Sequence, residues 1–231
     1  MLLQHLTRDI PIVFFNCQMD PARAGVIASV ARPGGNVTGT YHEYSPLMLK
    51  RWALFKEVLP GFRRGGWLVD APRLEPPRWQ HREAANAYAK GFLGKDEEVN
   101  AEAERRFGIS IARIVVPAGA SAEEVIAALR RERPEALRIA YEPGGGTALV
   151  DRHLVSARIL NDLVVRAGTD GRPTFDAAVA MLPRVLRGEP PATIPAFQGT
   201  RYVVVANPTL AQKMGIELPQ SVLLQADFIE K

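Results

Sequence analysis

The stretch IPIVFFNCQMDPARAGVIASVARPGGNVTGTY, residues 10–41, decides the fold of this chain. Its first part, Pro11–Phe15, is a short apolar run rich in β-formers, which is typical of a buried strand. A helix should follow, because Asp20 and the proline after it supply an N-cap and a first-turn residue, and this helix must end by Pro33. A tight Gly-Gly-Asn turn then leads into a second strand at Val37–Tyr41. Strand, helix and strand in this order predict a parallel sheet.

The same alternation continues through nearly the whole chain. Further strands are predicted at 67–70, 111–116, 136–141, 163–166 and 202–205. Further helices are predicted at 45–59, 79–107, 121–133, 150–160, 175–186 and 208–215, and we expect Gly91 and Gly94 to divide the second of these into two helices. The start at 121 is marked by a capping box of Ser121 and Glu124. The pattern predicts an α/β fold with parallel sheets and helices on both faces.

Composition and charge indicate a globular protein and disfavour several classes of partner. A chain of 231 residues that is 47% hydrophobic and 23% charged is typical of a globular protein with one large domain or two lobes. The net charge of +4 comes from basic residues interleaved with acidic ones, so we expect no nucleic-acid partner. No apolar run is long enough for a transmembrane helix, and Met1–Asp9 lacks the pattern of an export signal.

Catalytic and metal motifs are not evident. The single Cys17 allows no intrachain disulfide and no zinc cluster, and the four histidines lack a ligand spacing such as HExxH. A GxSxG elbow is absent, and the GGGT sequence at Gly144–Thr147 differs from a dinucleotide-binding loop, although its amides could bind an anion. We therefore expect no catalytic residue, no metal and no cofactor.

Polar residues lie where the predicted strands end, which is the edge of a parallel sheet at which ligands gather. They are Asn16, Asp20, Thr40, Tyr41, Asp70, Tyr141 and Glu142. Tyr41 offers a ring and a hydroxyl to an aromatic or amphipathic solute, and Glu142 could meet an ammonium group. The alternative is structural, since polar residues at strand ends also cap loops and helices.

Two segments of the chain resemble the substrate-binding proteins of ABC transporters. The first begins at Ile10 and includes ARPGGNVTG, residues 31–39, followed by a helix of the form KR-x-x-L-x-K-E-x-LP at residues 50–60. The second is the tail from Pro190, with an aromatic strand, an Asn-capped helix and a terminal ADE-like sequence. Asp170 with Gly168 and Gly171 resembles part of a turn that carries GG-x-x-SYG in this family.

The resemblance implies a periplasmic-binding-protein-like fold of two Rossmann-like lobes, with a small solute held between them and delivered to a membrane permease. Some members of the family bind aromatic amino acids. Taken with their positions at strand ends and at a helix start, the candidate ligand-binding residues are Asn16, Asp20, Thr40, Tyr41, Tyr141, Glu142 and Asp170. The family also implies a periplasmic location. This sequence shows no export signal, so we expect the cytoplasm if Met1 is the genuine start, and otherwise an export signal in residues that precede it.

The chain departs from the family at its start, because family members have about half a lobe before the strand at residue 11. The expected division is 1–60 for the remainder of the first lobe, 61–164 for the second lobe and 165–231 for a returning segment. A parallel sheet without its central strands exposes apolar edges, so we expect the chain to dimerise, repack or be marginally stable. Two other functions stay open: a cytoplasmic interaction or sensor module, and an α/β enzyme acting on a nucleotide or sugar.

Overall fold

The computed structural model describes residues 6–70, 82–117, 120–139 and 164–230. The strands are β1 (Ile12–Cys17), β2 (Val37–His42), β3 (Arg64–Asp70), β4 (Ser110–Val116), β5 (Ala136–Ile139), β6 (Val165–Thr169), β7 (Phe197–Gly199), β8 (Tyr202–Ala206) and β9 (Phe228–Ile229). The α-helices are α1 (Tyr44–Val58), α2 (Arg82–Phe107), α3 (Ala122–Glu132), α4 (Gly171–Leu186), α5 (Pro208–Lys213) and α6 (Gln220–Gln225). Within these ranges, no helix is long and apolar enough to span a bilayer.

The chain divides into two compact units. Unit 1 contains residues 1–47 and 168–203, and unit 2 contains residues 48–167 and 204–231. The boundaries fall within α1, β6 and β8, so the chain passes between the units three times, each time inside a regular element. The division into 1–60, 61–164 and 165–231 stays a prediction.

Unit 1 contains a sheet of three parallel strands in the order β1-β2-β7. Ile12 lies opposite Val37, and Tyr41 lies opposite Gln198. One face of this sheet is covered by α4, which packs on all three strands. The other face forms a small core around Ile27, together with Val37 and Tyr41.

Unit 2 contains a second parallel sheet in the order β4-β3-β5. Side chains of β3 alternate between its two faces, as the pleat of a strand requires. Leu68 belongs to the core under α3, whereas Trp67 and Val69 form a cluster on the opposite face. Helices α1 and α2 lie on that opposite face, where Trp52 of α1 approaches Gly65. The predicted α/β class, with parallel sheets and helices on both faces, is confirmed. A third sheet has the order β6-β8-β9.

The helix predicted after Asp20 does not form. The main-chain N–H groups of Ala24 and Val26 donate to Asp20 and Pro21, which closes a single turn. Gly25 then adopts a φ of 69°, in the left-handed region, and a residue in that region ends a helix. The apolar residues of this segment still face the core: Ile27 is 6% exposed, and Val26 and Val30 are partly buried against the same cluster. The pattern therefore predicted burial correctly and helix wrongly.

The region predicted as two helices is one helix of 26 residues, α2. Glycine in a helix interior costs about 1 kcal/mol relative to alanine, but a helix held by tertiary packing tolerates that cost. Further along, α4 begins at Gly171, four residues before its predicted start at Phe175, because Asp170 caps it and Pro173 is tolerated in the first turn. The capping box at Ser121 is confirmed. The predicted helix 150–160 lies outside the described residues.

Candidate functional site

The candidate site lies at the carboxyl edge of the unit 1 sheet. Its strands are parallel and end side by side, since Cys17 pairs with Tyr41 and His42 pairs with Gly199. The first turn of α4 lies at the same edge, because a Cβ placed on Gly199 would be 2.6 Å from Thr174 Cγ2. Crevices outside the carboxyl ends of parallel strands are where ligands bind in α/β folds.

Asn16 provides an acceptor at this edge. It has a φ of 58°, in the left-handed region, and sits where the pairing of β1 with β2 shifts register. Asparagine adopts this conformation more readily than most residues. Its main-chain N–H donates to Thr40 Oγ1 at 3.2 Å, while its side-chain Oδ1 is buried with no hydrogen-bond partner among the described residues. A buried acceptor without a partner is uncommon in native proteins and marks a place where a ligand donor could bind.

Tyr41 contributes a hydroxyl rather than an open ring. Its side chain is 3% exposed and packs in the core with Ile27. The hydroxyl donates to Gln198 Oε1 at 3.3 Å. Burial raises the pKa of Tyr41, and the negative charges of Asp20 and Glu43 raise it further. The phenol therefore stays protonated, and its ring is closed to the stacking role that the sequence suggested for it.

Asp20 gives the edge negative charge. Its Oδ1 accepts from the main-chain N–H of Ala22 at 2.8 Å, so it caps the single turn that follows β1. Its side chain is 19% exposed, and its Oδ2 lies 3.9 Å from Nε of the exposed Arg23. Its charge still acts on Tyr41. Glu43 adds to this charge, because it raises the pKa of both Tyr41 and Tyr202. An unpartnered acceptor on the same edge of the sheet as two carboxylates favours a solute group that is positively charged and donates hydrogen bonds.

Asp170 has a structural role in unit 1. It caps α4, accepting from Arg172 N at 3.0 Å, and its Oδ2 lies 3.5 Å from Arg201 Nε. The structure thus brings Asn16, Asp20, Thr40 and Tyr41 together, and it places Asp170 at the N-terminus of α4 with Arg201 as its ionic partner. Tyr141 and Glu142 lie outside the described residues.

His42 was not singled out by the sequence. It ends β2, is 3% exposed and has a pKa lowered by burial, so it is held neutral. Its Nδ1 has no hydrogen-bond partner among the described residues. Nothing in the sequence distinguishes it from the other three histidines, because β2 is buried on both faces and shows no alternation of polar and apolar residues.

Unit 2 contains a buried ion pair that the sequence also did not reveal. Arg138 Nη2 lies 2.9 Å from Asp96 Oδ1, and the two side chains are 1% and 0% exposed. The guanidinium carbon lies 5.0 Å from the ring centroid of Trp67, and Nη1 lies 3.2 Å from Met48 Sδ. Because both side chains are fully buried, the pair is not open to a solute from the surface.

Unit 1 also has a groove at the amino edge of its sheet, which is a second candidate for a site. A groove of about 310 Å³ in unit 1 is lined by Arg8, Asn36 and Glu189, among others, but Asn36 precedes β2 and Glu189 follows α4. This places the groove at the amino edge of the sheet, opposite the carboxyl edge. Across the described ranges, no group of three or more His, Cys, Asp or Glu residues is placed to hold a metal ion.

Comparison with solved structures identifies the fold. The ABC domain of Streptococcus pneumonia in complex with L-Trp matches 99% of this chain and 76% of its own, with a TM-score of 0.73 and 22% identity. The chain has the fold of a substrate-binding protein. A substrate binding protein with adhesive properties from Clostridium difficile, in a ligand-free, open structure, matches 99% of this chain and 74% of its own (TM-score 0.65, 16% identity).

A conserved domain protein from Vibrio cholerae O1 biovar El Tor strain N16961 also matches 99% of this chain and 74% of its own (TM-score 0.61, 20% identity). No protein-family model and no curated protein matches the chain. The resemblance to ABC-transporter substrate-binding proteins is thus confirmed at the level of the fold. The structural match covers 99% of the chain, whereas the two segments that suggested the family cover about two-fifths of it.

Proposed function

We propose that this chain is a solute-binding component of an ABC transporter, which captures a small organic solute with a positively charged amino group. The observation that carries the proposal is the carboxyl edge of unit 1, where the unpartnered Asn16 Oδ1 lies on the same edge as the charged residues Asp20 and Glu43. An amino acid fits this chemistry, and one structural neighbour was solved with L-Trp. Capture without bond making agrees with the absence of a catalytic motif from the sequence.

The wider setting of this function is also a proposal. A solute-binding component delivers its ligand to a permease in the membrane, and we expect a periplasmic location for that task. A cytoplasmic sensor would use the same edge to bind a solute, but its oligomeric state would change with the ligand. An enzyme acting on a nucleotide or sugar would need phosphate-binding or nucleophilic groups. The carboxylates of Asp20 and Glu43 at this edge disfavour a phosphate by like-charge repulsion.

The test is binding by the full chain to a panel of amino acids, amines, sugars and nucleotides, measured by calorimetry and by the shift in melting temperature. A ligand that binds only the folded state raises the melting temperature. We expect amino acids or amines to bind and to raise the melting temperature, and we expect sugars and nucleotides to show no binding and no shift. Binding confined to sugars or nucleotides would overturn the proposal.

Variants at Asn16 identify the site. Asn16→Gly removes the acceptor and keeps a residue suited to the φ of 58°, so the fold is retained. Because a hydrogen bond to a charged group contributes about 1.5–3 kcal/mol, affinity should fall roughly 10-fold or more. Asn16→Asp keeps an oxygen at this position and should retain binding. Tyr202→Phe is the control, since the Tyr202 hydroxyl donates to the main-chain oxygen of Glu43 instead of entering the site. Equal affinity for Asn16→Gly and the parent would place the ligand elsewhere.

A further inference from the structure

The amino edge of the unit 2 sheet collects arginines from three separate segments of the chain. In a parallel sheet, each connecting helix runs back from the carboxyl edge and ends at the amino edge, where the next strand begins. Helix α2 therefore ends at Phe107, shortly before β4, and α3 ends at Glu132, shortly before β5. Strand β3 begins at the same edge with Arg64, which pairs with Ser110 of β4.

Five exposed arginines at this edge are here called the arginine edge, and they are Arg63, Arg64, Arg106, Arg130 and Arg133. Main-chain hydrogen bonds hold their segments side by side. Ser110 N donates to Arg63 O at 2.8 Å, and Glu135 N donates to Arg64 O at 2.8 Å. Arginines that are far apart in the sequence thus form one positively charged surface only after the chain has folded.

The charge of the arginine edge is not cancelled by ion pairs. Arg105 and Arg131, at the ends of the same two helices, are paired with glutamates of those helices. Across the described ranges, the five arginines of the arginine edge form no such pair. Glu135 lies among them, but its carboxylate accepts the main-chain N–H groups of Arg63 and Arg64 at 2.6 and 3.2 Å. One carboxylate among five guanidinium groups leaves the edge positive.

Stabilisation of helix ends accounts for only part of the arginine edge. The helix dipole favours a basic residue in the last turn of a helix, which covers Arg106 and Arg130. Arg63 and Arg64 lie at the start of a strand instead. Arg133 has a φ of 48°, in the left-handed region, where glycine and asparagine are the usual residues after a helix. Three of the five arginines therefore need another explanation.

The chemistry of the arginine edge selects a partner that carries phosphate groups. All five cations are guanidinium groups, which bind phosphate through two parallel N–H donors. Phe62 is 2% exposed, and the Phe107 ring is covered by Arg106, whose guanidinium carbon lies 5.6 Å from the ring centroid. The edge thus presents no aromatic ring on which the bases of a single-stranded nucleic acid could stack, within the part of the chain that the structure describes.

The shape of the arginine edge fits a broad anionic surface. Helices α2 and α3 lie on opposite faces of the sheet, so the arginines extend across helix, sheet and helix layers. The large apolar side chains that are exposed in the described residues all lie in other parts of the chain. A protein interface is centred on apolar side chains, whereas attraction to anionic lipid headgroups needs only basic residues close to the membrane surface.

We infer that the arginine edge is a docking surface for an anionic phospholipid bilayer, with its guanidinium groups bound to lipid phosphates and no side chain inserted into the hydrocarbon. The carboxyl edge of the same sheet points away from such a bilayer. The surface is built from residues 63–133 of unit 2, so it contains none of the residues proposed to bind the solute.

The first test is sedimentation of the full chain with lipid vesicles in the absence of any solute. We expect binding to vesicles that contain phosphatidylglycerol and no binding to vesicles of phosphatidylcholine alone. Binding should be lost when salt is raised from about 0.1 M to about 1 M, since the Debye length falls from about 10 Å to about 3 Å. No binding to the anionic vesicles at low salt, or equal binding to both kinds, would overturn the inference. Because no solute is present, a chain that fails to bind amino acids can still pass this test.

The second test compares two triple variants with the same change in charge. The first replaces one arginine from each segment of the arginine edge: Arg64→Gln, Arg106→Gln and Arg130→Gln. An arginine near an anionic membrane contributes about a factor of 5 in affinity, so vesicle binding should fall roughly 100-fold. The control replaces three exposed arginines of unit 1 and should bind like the parent: Arg32→Gln, Arg172→Gln and Arg187→Gln. Both variants should keep the parent melting temperature. Equal losses of binding would assign the effect to net charge and overturn the inference.

The third test offers the chain other polyanions. Fluorescent duplex DNA and polyglutamate are added at the salt concentration at which the vesicles bind, and the vesicles are then titrated in. We expect the vesicles to displace the chain from both. Binding to either polyanion that the vesicles cannot displace, and that the arginine-edge variant loses, would assign the surface to a nucleic acid or to an acidic protein instead of a bilayer.

Discussion

Asp96 of α2 and Arg138 of β5 form a buried ion pair. Removing one partner of this pair should destabilise the protein more than removing one partner of an exposed ion pair on α2. Arg138→Met keeps an unbranched side chain of similar length at the Trp67 ring but leaves the Asp96 carboxylate enclosed without its guanidinium. Breaking a fully buried ion pair costs about 3–5 kcal/mol, because the remaining charge has lost both water and its partner. That is a large part of the roughly 5–15 kcal/mol by which a folded protein is stable.

The assay is urea unfolding followed by circular dichroism, with the free energy of unfolding extrapolated for each variant. Arg113→Met is the matched control, because Arg113 Nη1 lies 2.8 Å from Glu97 Oε1 of the same helix, and these side chains are 48% and 58% exposed. An exposed pair contributes about 0–1 kcal/mol. The double variant Arg138→Met with Asp96→Leu removes both charges and should recover most of the loss. Equal costs for Arg138→Met and Arg113→Met, or a double variant no more stable than Arg138→Met alone, would refute this reasoning.

Two further predictions concern Gly39 and His42, which both lie in β2 of unit 1. Gly39→Ala should abolish folding or cost several kcal/mol, because a Cβ at Gly39 would lie 2.0 Å from the main-chain oxygen of Phe14. Gly94→Ala is the contrasting variant, since a Cβ at Gly94 in α2 meets open space. It should stabilise the protein by about 0.5–1 kcal/mol, as measured by thermal unfolding. Burial lowers the pKa of His42 from its ordinary value of 6.5. Below pH 6.5 the unfolded chain therefore binds more protons at this histidine than the folded chain does. The contribution of neutral His42 to the unfolding free energy is full above pH 6.5 and is lost as the pH falls toward the lowered pKa. His42→Gln should reduce this pH dependence of the unfolding free energy, and an unchanged slope would contradict the assignment.

The parallel sheets could be predicted because their signals are local. The short runs around Val69, Ile114 and Val204 are apolar and bounded by turn residues, and all three became strands. The caps at Ser121 and Asn207 likewise depend on a few consecutive residues. Such features need no knowledge of what the segment will pack against.

Features that depend on partners distant in the chain could not be predicted. Strand β7 has only three residues, and it exists because Thr40 and Tyr41, more than 150 positions earlier, supply its pairing edge. Arg138 reads as a surface residue on a strand until Asp96 and Trp67 enclose it. An isolated sequence gives no indication of either contact.

The errors made near the candidate site have a common physical origin. The prediction of a strand followed directly by a regular helix fails between Asn16 and Gly25, where two left-handed residues and a register shift interrupt both elements. The local sequence favours a regular helix here, so contacts with the rest of the fold must hold the backbone in its irregular conformation. It turns the Asn16 N–H toward Thr40, leaves Asn16 Oδ1 buried without a partner, and keeps the Asp20 carboxylate close enough to act on Tyr41. Local rules are expected to fail where a fold maintains an arrangement for binding, and the segment where they fail here is the one that holds the unpartnered acceptor.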